Sequence, residues 1–141
     1  MLKTRRTSSV VFAAMCALVA GRTVAVAGEV GGSRVIEIIA DQDNRFKVPK
    51  QKEPVITMKV NEAAVLRITA RKGGEWDEKD GTVHTFTIAA LKNKGWNLPL
   101  KEGTQQFRVV APSEPGEYVV ECTVKCGKGH DDMRMKLVVT P

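Results

Sequence analysis

Apolar and polar residues alternate with a period of two in one short run after another, and after the first segment no helical stripe of any length interrupts them. Alternation at that period sends successive side chains to opposite faces of a strand, so a chain built this way must bury one face of each strand in stacked or closed sheets. Arg34 to Ala40, RVIEIIA, reads as a first strand rich in β-branched residues. Asp41 to Glu53 is polar, contains Pro49, and reads as a loop or an edge. Pro54 opens VITMKV, where Ile56, Met58 and Val60 alternate with Thr57 and Lys59 and Met58 is core. Asn61-Glu62 makes a turn, and AVLRITA then sets Leu66, Ile68 and Ala70 opposite Arg67 and Thr69. Two alternating strands joined by a polar turn predict a hairpin with one wet face.

Arg71 to Gly81 is a charged, glycine-containing loop, and Trp76 is an aromatic residue in polar surroundings that is expected to pack on something nearby. VHTFTI follows, with His84, Phe86 and Ile88 on one face, so the imidazole points inward at the start of a strand. Ala89 to Gly103 is the longest stretch without alternation after His84. QQFRVV turns Phe107 and Val109 inward and is closed by Pro112, and Pro115-Gly116 is a turn signal. In GEYVVECTVKC, residues Tyr118, Val120, Cys122, Val124 and Cys126 share one parity, which sends both thiols toward the core side. RMKLVV ends the chain, with Met135, Leu137 and Val139 alternating with Arg134 and Lys136.

With 141 residues the chain holds one domain's worth of core. Residues 1–27 read as a secretory signal peptide: Lys3, Arg5 and Arg6 precede the apolar run SSVVFAAMCALVAG, and Ala25-Val26-Ala27 is a small-x-small cleavage signal. The apolar run falls short of the roughly 20 residues a spanning helix needs, so no stable membrane span is expected after cleavage. Thr4-Arg5-Arg6 leaves the twin-arginine export route open beside the general one. Residues 28–33, GEVGGS, read as a flexible lead-in, and residues 34–141 as the folded domain. Cleavage removes four basic residues and no acidic one, and takes the formal charge from +6 to +2. Nucleic-acid binding therefore loses its main support, because the basic balance belongs largely to the leader.

The same cleavage removes Cys16, an apolar filler, and leaves two cysteines and two histidines. Both cysteines and one histidine fall within Cys122 to Met133, CTVKCGKGHDDM, which sets Cys122, Cys126, His130 and Met133 apart by four, four and three residues. Thiolate, imidazole and thioether are soft ligands for copper, and a site mixing them can pass one electron without exchanging ligands. An exported protein with two cysteines also raises a structural disulfide, but a bridge closing so short a loop would stabilise little. His84, taken alone, is equally a core histidine satisfied by a backbone partner.

The spacing Cys-x3-Cys-x3-His-x2-Met with an upstream histidine resembles the binuclear CuA copper loop of cytochrome c oxidase subunit II and nitrous oxide reductase, and PGEYVVECTVKCGKGHDDM carries the likeness further. The resemblance covers the last sixty or so residues well and the first strands only by pattern. It implies an all-β, cupredoxin-like Greek-key sandwich or barrel, in which the strand-borne His84 and the late loop meet at one pole. It implies that Cys122 and Cys126 bridge two coppers as thiolates, that His84 and His130 each bind one, that Met133 is a weak ligand to one ion, and that the backbone carbonyl of Val124 serves the other. It also implies that Ala89 to Gly103 crosses between the sheets, with Trp96 and Leu98 capping the barrel end. For Trp76 the readings are a place in a solvated loop, a cover for the copper site, or an entry point for electrons.

Lys125 and Lys128 sit in the loop beside Asp131 and Asp132, where oxidase copper domains present acidic surface, and this opens the choice of partner. Three functions follow: a one-electron carrier with a binuclear centre, a mononuclear cupredoxin using His84, Cys126, His130 and Met133, and a copper chaperone or store. The implied partners are a redox protein such as a c-type cytochrome or terminal oxidase, or a client for copper delivery. The implied location is the periplasm or another exported compartment. No catalytic triad or paired carboxylates point to an enzyme.

Overall fold

A computed structural model describes residues 32–74 and 80–141 of the chain. The expected signal peptide, most of the expected lead-in and Trp76 lie outside the described residues. Among the described residues no helix is long and apolar enough to cross a membrane.

The described chain runs β1 (Arg34–Ala40), β2 (Phe46–Lys47), β3 (Val55–Lys59), β4 (Ala63–Ala70), β5 (Thr82–Thr87), β6 (Asn97–Lys101), β7 (Gly103–Val110), β8 (Gly116–Glu121) and β9 (Arg134–Thr140), with 3₁₀ turns at Ala89–Lys94 and His130–Asp132. One sheet has the order β2-β1-β4-β7 and the other β3-β9-β8-β5-β6. The pairs β1–β4 and β3–β9 are parallel and the others antiparallel, which gives the stacked sheets that the alternation required and the all-β Greek-key sandwich that the resemblance implied.

The facing sides of the two sheets supply the core. Ile38, Leu66 and Ile68 come from one sheet, and Phe86, Leu100, Val120 and Leu137 from the other, all buried. Each such side chain contributes about 1.5–3 kcal/mol on withdrawal from water. Phe46 on β2 meets Phe86 on β5 edge to face, with ring centroids 5.5 Å apart, and so joins the short edge strand to the opposite sheet.

Two expectations about connectivity are corrected. Val55–Lys59 and Ala63–Ala70 do not form a hairpin, because β3 pairs with β9 and β4 pairs with β1 and β7. The polar turn is present, but Asn61 takes a left-handed backbone (φ 57) and its N–H donates to the Pro112 carbonyl at 3.3 Å. That geometry carries the chain from one sheet into the other. The second correction concerns Ala89 to Gly103, which does not simply cross between sheets. After the 3₁₀ turn, β6 returns antiparallel beside β5, with Leu98 and Leu100 buried, and the crossing to β7 follows Lys101. Pro99 obscured this strand in the sequence, and it is tolerated because β6 is an edge. Trp96 is buried as expected and donates its indole N–H to the Val110 carbonyl at 3.0 Å.

Candidate metal centre

The site lies where the ladder between β5 and β8 gives out. Those neighbours share a single register pair, Thr87↔Glu121, and beyond it the two backbones are joined through side chains. Thr85 N–H donates to the Cys122 Sγ at 3.4 Å, Thr123 N–H donates to the Thr85 Oγ1 at 2.7 Å, and the two threonine hydroxyls lie 2.9 Å apart. Donors that would otherwise continue the sheet are thus satisfied by a hydroxyl and a sulfur. All of β5 is buried, including the Thr85 and Thr87 side that alternation alone would leave wet.

β8 ends at Glu121, and the loop from Cys122 to Met133 is held where it leaves the sheet and where it returns. Glu121 pairs with Arg134, and Cys122 N–H donates to the Met133 carbonyl at 3.2 Å. Within the loop, Gly127 (φ 107) and Gly129 (φ 93) adopt a left-handed backbone that a side chain would strain. His130 N–H donates to the Gly127 carbonyl and Asp132 N–H to the Gly129 carbonyl, both at 3.1 Å. These turns bring His130 back toward Cys126.

The donors converge. Cys122 and Cys126 are free thiols with sulfurs 3.8 Å apart, in contact but unbonded. Cys126 Sγ is also 3.5 Å from His130 Nδ1 and 3.8 Å from Met133 Sδ, while Cys122 Sγ is 3.4 Å from the Val124 carbonyl oxygen. One ring nitrogen of His84 lies within 4.8 Å of both sulfurs. The fractional exposures are 0% for His84 and Met133, 1% for Cys126 and 6% for Cys122, whereas His130 and Val124 are only half-buried. All six residues singled out from the sequence therefore meet at one end of the sandwich. Both thiols are buried on the core side, as their shared parity predicted, but β8 ends at Glu121 and the loop, rather than a continuing strand, carries them there.

His84 has one nitrogen engaged and one bare. Its Nε2 lies 2.8 Å from the Arg71 carbonyl oxygen, which can only accept, so Nε2 carries the proton. Its Nδ1 is buried without a hydrogen-bond partner. A backbone carbonyl that fixes the tautomer, and leaves the other nitrogen's lone pair free, is the arrangement that orients a metal-binding imidazole. A core histidine held by its backbone partner alone leaves that second nitrogen unexplained.

The thiol pair shares its protons unequally. A hydrogen bond from Cys126 holds Cys122 well below an ordinary thiol, against the opposing effect of burial and with further help from the Thr85 amide. The same hydrogen bond, burial and the charge on Cys122 push Cys126 up. The pair thus gives up one proton readily and keeps the other, until a cation arrives to replace it.

The positioning groups were not visible in the sequence. The Arg71 contact is made by a backbone carbonyl and carries no residue signal. Thr85 and Thr123 read as ordinary outward strand residues, and Asn44 lay in a segment taken as loop or edge.

No protein-family model matches this sequence, and no curated protein does. Solved structures do match. A chain of a heme-copper terminal oxidase dimer superposes with a TM-score of 0.54 at 23% identity, over 77% of this chain and 66% of that one. This chain therefore spans about two thirds of the length of that oxidase chain. The periplasmic domain of subunit II of cytochrome oxidase from Bradyrhizobium japonicum gives a TM-score of 0.50 at 17% identity, over 76% of this chain and 83% of that one. Auracyanin B gives 0.50 at 19% identity, over 77% and 89%. The fold is cupredoxin-like, as the resemblance implied. Its distinguishing feature is a cluster of two thiols, two imidazoles, a thioether and a carbonyl at one pole.

Proposed function

We propose that this protein is an exported copper-binding electron carrier rather than an enzyme, and that its centre holds two copper ions. The observation that carries the reading is the bare, buried Nδ1 of His84 set beside two unbonded thiols. That donor set is soft, already dry, and fixed in tautomer before any ion binds, which suits copper. Cys122 and Cys126 would bridge the ions as thiolates, His84 and His130 would each bind one, and Met133 and the Val124 carbonyl would be the weaker ligands.

Copper bound there supplies a one-electron couple. The protein's part is to hold the ligands still, so that little has to move when the charge changes. Arg71 orients His84, Thr85 and the β8–β9 ends hold the thiol loop, and the buried sulfurs exclude water. His130 is half-buried where His84 is fully buried, and we propose it as the route out to a partner, a c-type cytochrome or a terminal oxidase.

Copper counting with electron-spin resonance tests this. Two ions per chain, and a spectrum split by two equivalent nuclei, are expected, with loss of that pattern in Cys122→Ser. One ion with a single-nucleus pattern that survives Cys122→Ser would replace the reading with a mononuclear centre. Spin-silent Cu(I) stripped readily by a chelator would replace it with a copper-handling protein.

A further inference from the structure

The turn between β1 and β2 touches both halves of the metal centre although it supplies none of the candidate ligands. Asn44, in that turn, is 2% exposed and donates its Nδ2–H to the Lys128 carbonyl at 2.7 Å, across 84 residues of sequence. Lys128 lies between Cys126 and His130. The same turn packs against the loop glycine that follows, since a Cβ on Gly129 would meet the Asp43 carbonyl oxygen at 3.4 Å and the Asn44 Cβ at 3.7 Å.

On its other side the turn meets the segment that orients His84. Asp41 accepts from the Arg71 guanidinium at 3.2 Å, and Arg71 N–H donates to the Ala40 carbonyl at 2.9 Å, while the Arg71 carbonyl faces His84 Nε2. Two residues on, Gly73 passes so close that a Cβ there would overlap the Asn44 Oδ1 and lie 3.1 Å from the Cys126 carbonyl oxygen. Asn44, Gly73 and the Cys126 backbone form one junction.

Asn44 occupies an unfavourable position there. Its backbone is left-handed (φ 55), and its Oδ1 is buried without a hydrogen-bond partner. Asparagine tolerates that backbone better than most residues, but an unpaired buried oxygen is costly, and a glycine would meet the conformational need without it. What only the carboxamide adds is the donor to Lys128.

We propose that Asn44 is a positioning residue for the metal centre, a strut that fixes the Cys126–His130 segment against the arm orienting His84 before any ion is bound. The proposal deepens the copper reading and rests on it for its purpose, but the rigidity it claims belongs to the metal-free protein.

Amide hydrogen exchange on the reduced, metal-free full chain tests it. Asn44→Gly keeps the backbone conformation and removes the donor, and should speed exchange at His130 and Asp132 about tenfold while leaving Leu137 in β9 unchanged. Gly73→Ala displaces the carboxamide from the other side and should reproduce that local loosening. Copper-loaded Asn44→Gly should also release its metal to a chelator about tenfold faster than the native chain. Unchanged exchange at His130 in both variants, or an equal rise at His130 and Leu137, would overturn the assignment. A native chain that takes up no copper, with the local loosening still seen in the two variants, would overturn the copper reading and leave the strut standing.

Discussion

β8 has two neighbours, and they are joined to it in opposite ways. Toward β9 the ladder is regular, from Gly116↔Val139 through Glu121↔Arg134, with Tyr118, Val120, Met135 and Leu137 turned to the core side. Toward β5 a single register pair remains, and the join passes through Thr85, Thr123 and a cysteine sulfur. The regular side derives its strength from repetition of one backbone pattern and from apolar burial. The open side gives up that repetition to place a thiol between strands, and satisfies the Thr85 and Thr123 amides with a sulfur and a hydroxyl instead. Stability and the site thus draw on different sides of one strand.

The largest effect that should distinguish the two sides is Leu137→Ala on β9, where a fully buried side chain is cut back. A loss of about 2–5 kcal/mol in denaturant unfolding is expected, with unfolding remaining a single transition. A loss below about 1 kcal/mol would mean that the β9 side does not carry the core.

Thr85→Val comes next. It keeps the shape but leaves the Thr123 N–H without its acceptor, at a cost of about 1–3 kcal/mol. Exchange at the Thr123 amide should rise more than exchange at Leu137. Equal rises would show that the seam and the ladder open together, and would erase the contrast.

The smallest effect expected is acid sensitivity at Asp41, in the turn that braces the site. Hydrogen bonding and charge from Lys47, opposed by partial burial and aided by the Gln42 amide and Arg71, hold its carboxyl below the ordinary value of 3.8. A carboxyl depressed in the folded state adds stability that is fully present above 3.8 and is lost as pH falls through the lowered native value. Asp41→Asn should therefore flatten the acid limb of stability against pH by less than about 1 kcal/mol, since its partners are largely exposed. A steeper acid limb in the variant would reverse the sign and discard this account.

Much of the fold was legible because parity is local. Leu66, Ile68, His84, Phe86 and Leu137 all sit on the face their alternation assigned. The spacing of Cys122, Cys126, His130 and Met133 likewise marked a loop that brings four donors together. Parity tells which face a residue takes and is silent on which sheet its strand joins, so β3 and β4 read as partners when Asn61 in fact sends them apart. β6 was hidden by Pro99, whose missing donor matters only on an interior strand.

What the sequence by itself determined was the inventory: strands with one apolar face, and two sulfurs, two imidazoles and a thioether spaced for a soft cation. Tertiary structure alone decided how that inventory is held. The Arg71 carbonyl selects the His84 tautomer, Thr85 reaches the thiol across an open seam, and Asn44 meets Lys128 from a turn 84 residues away. The physical reason is that a hydrogen bond depends on where two backbones pass in space. Carbonyls and amides that every residue carries leave no mark on the sequence until the fold sets them side by side.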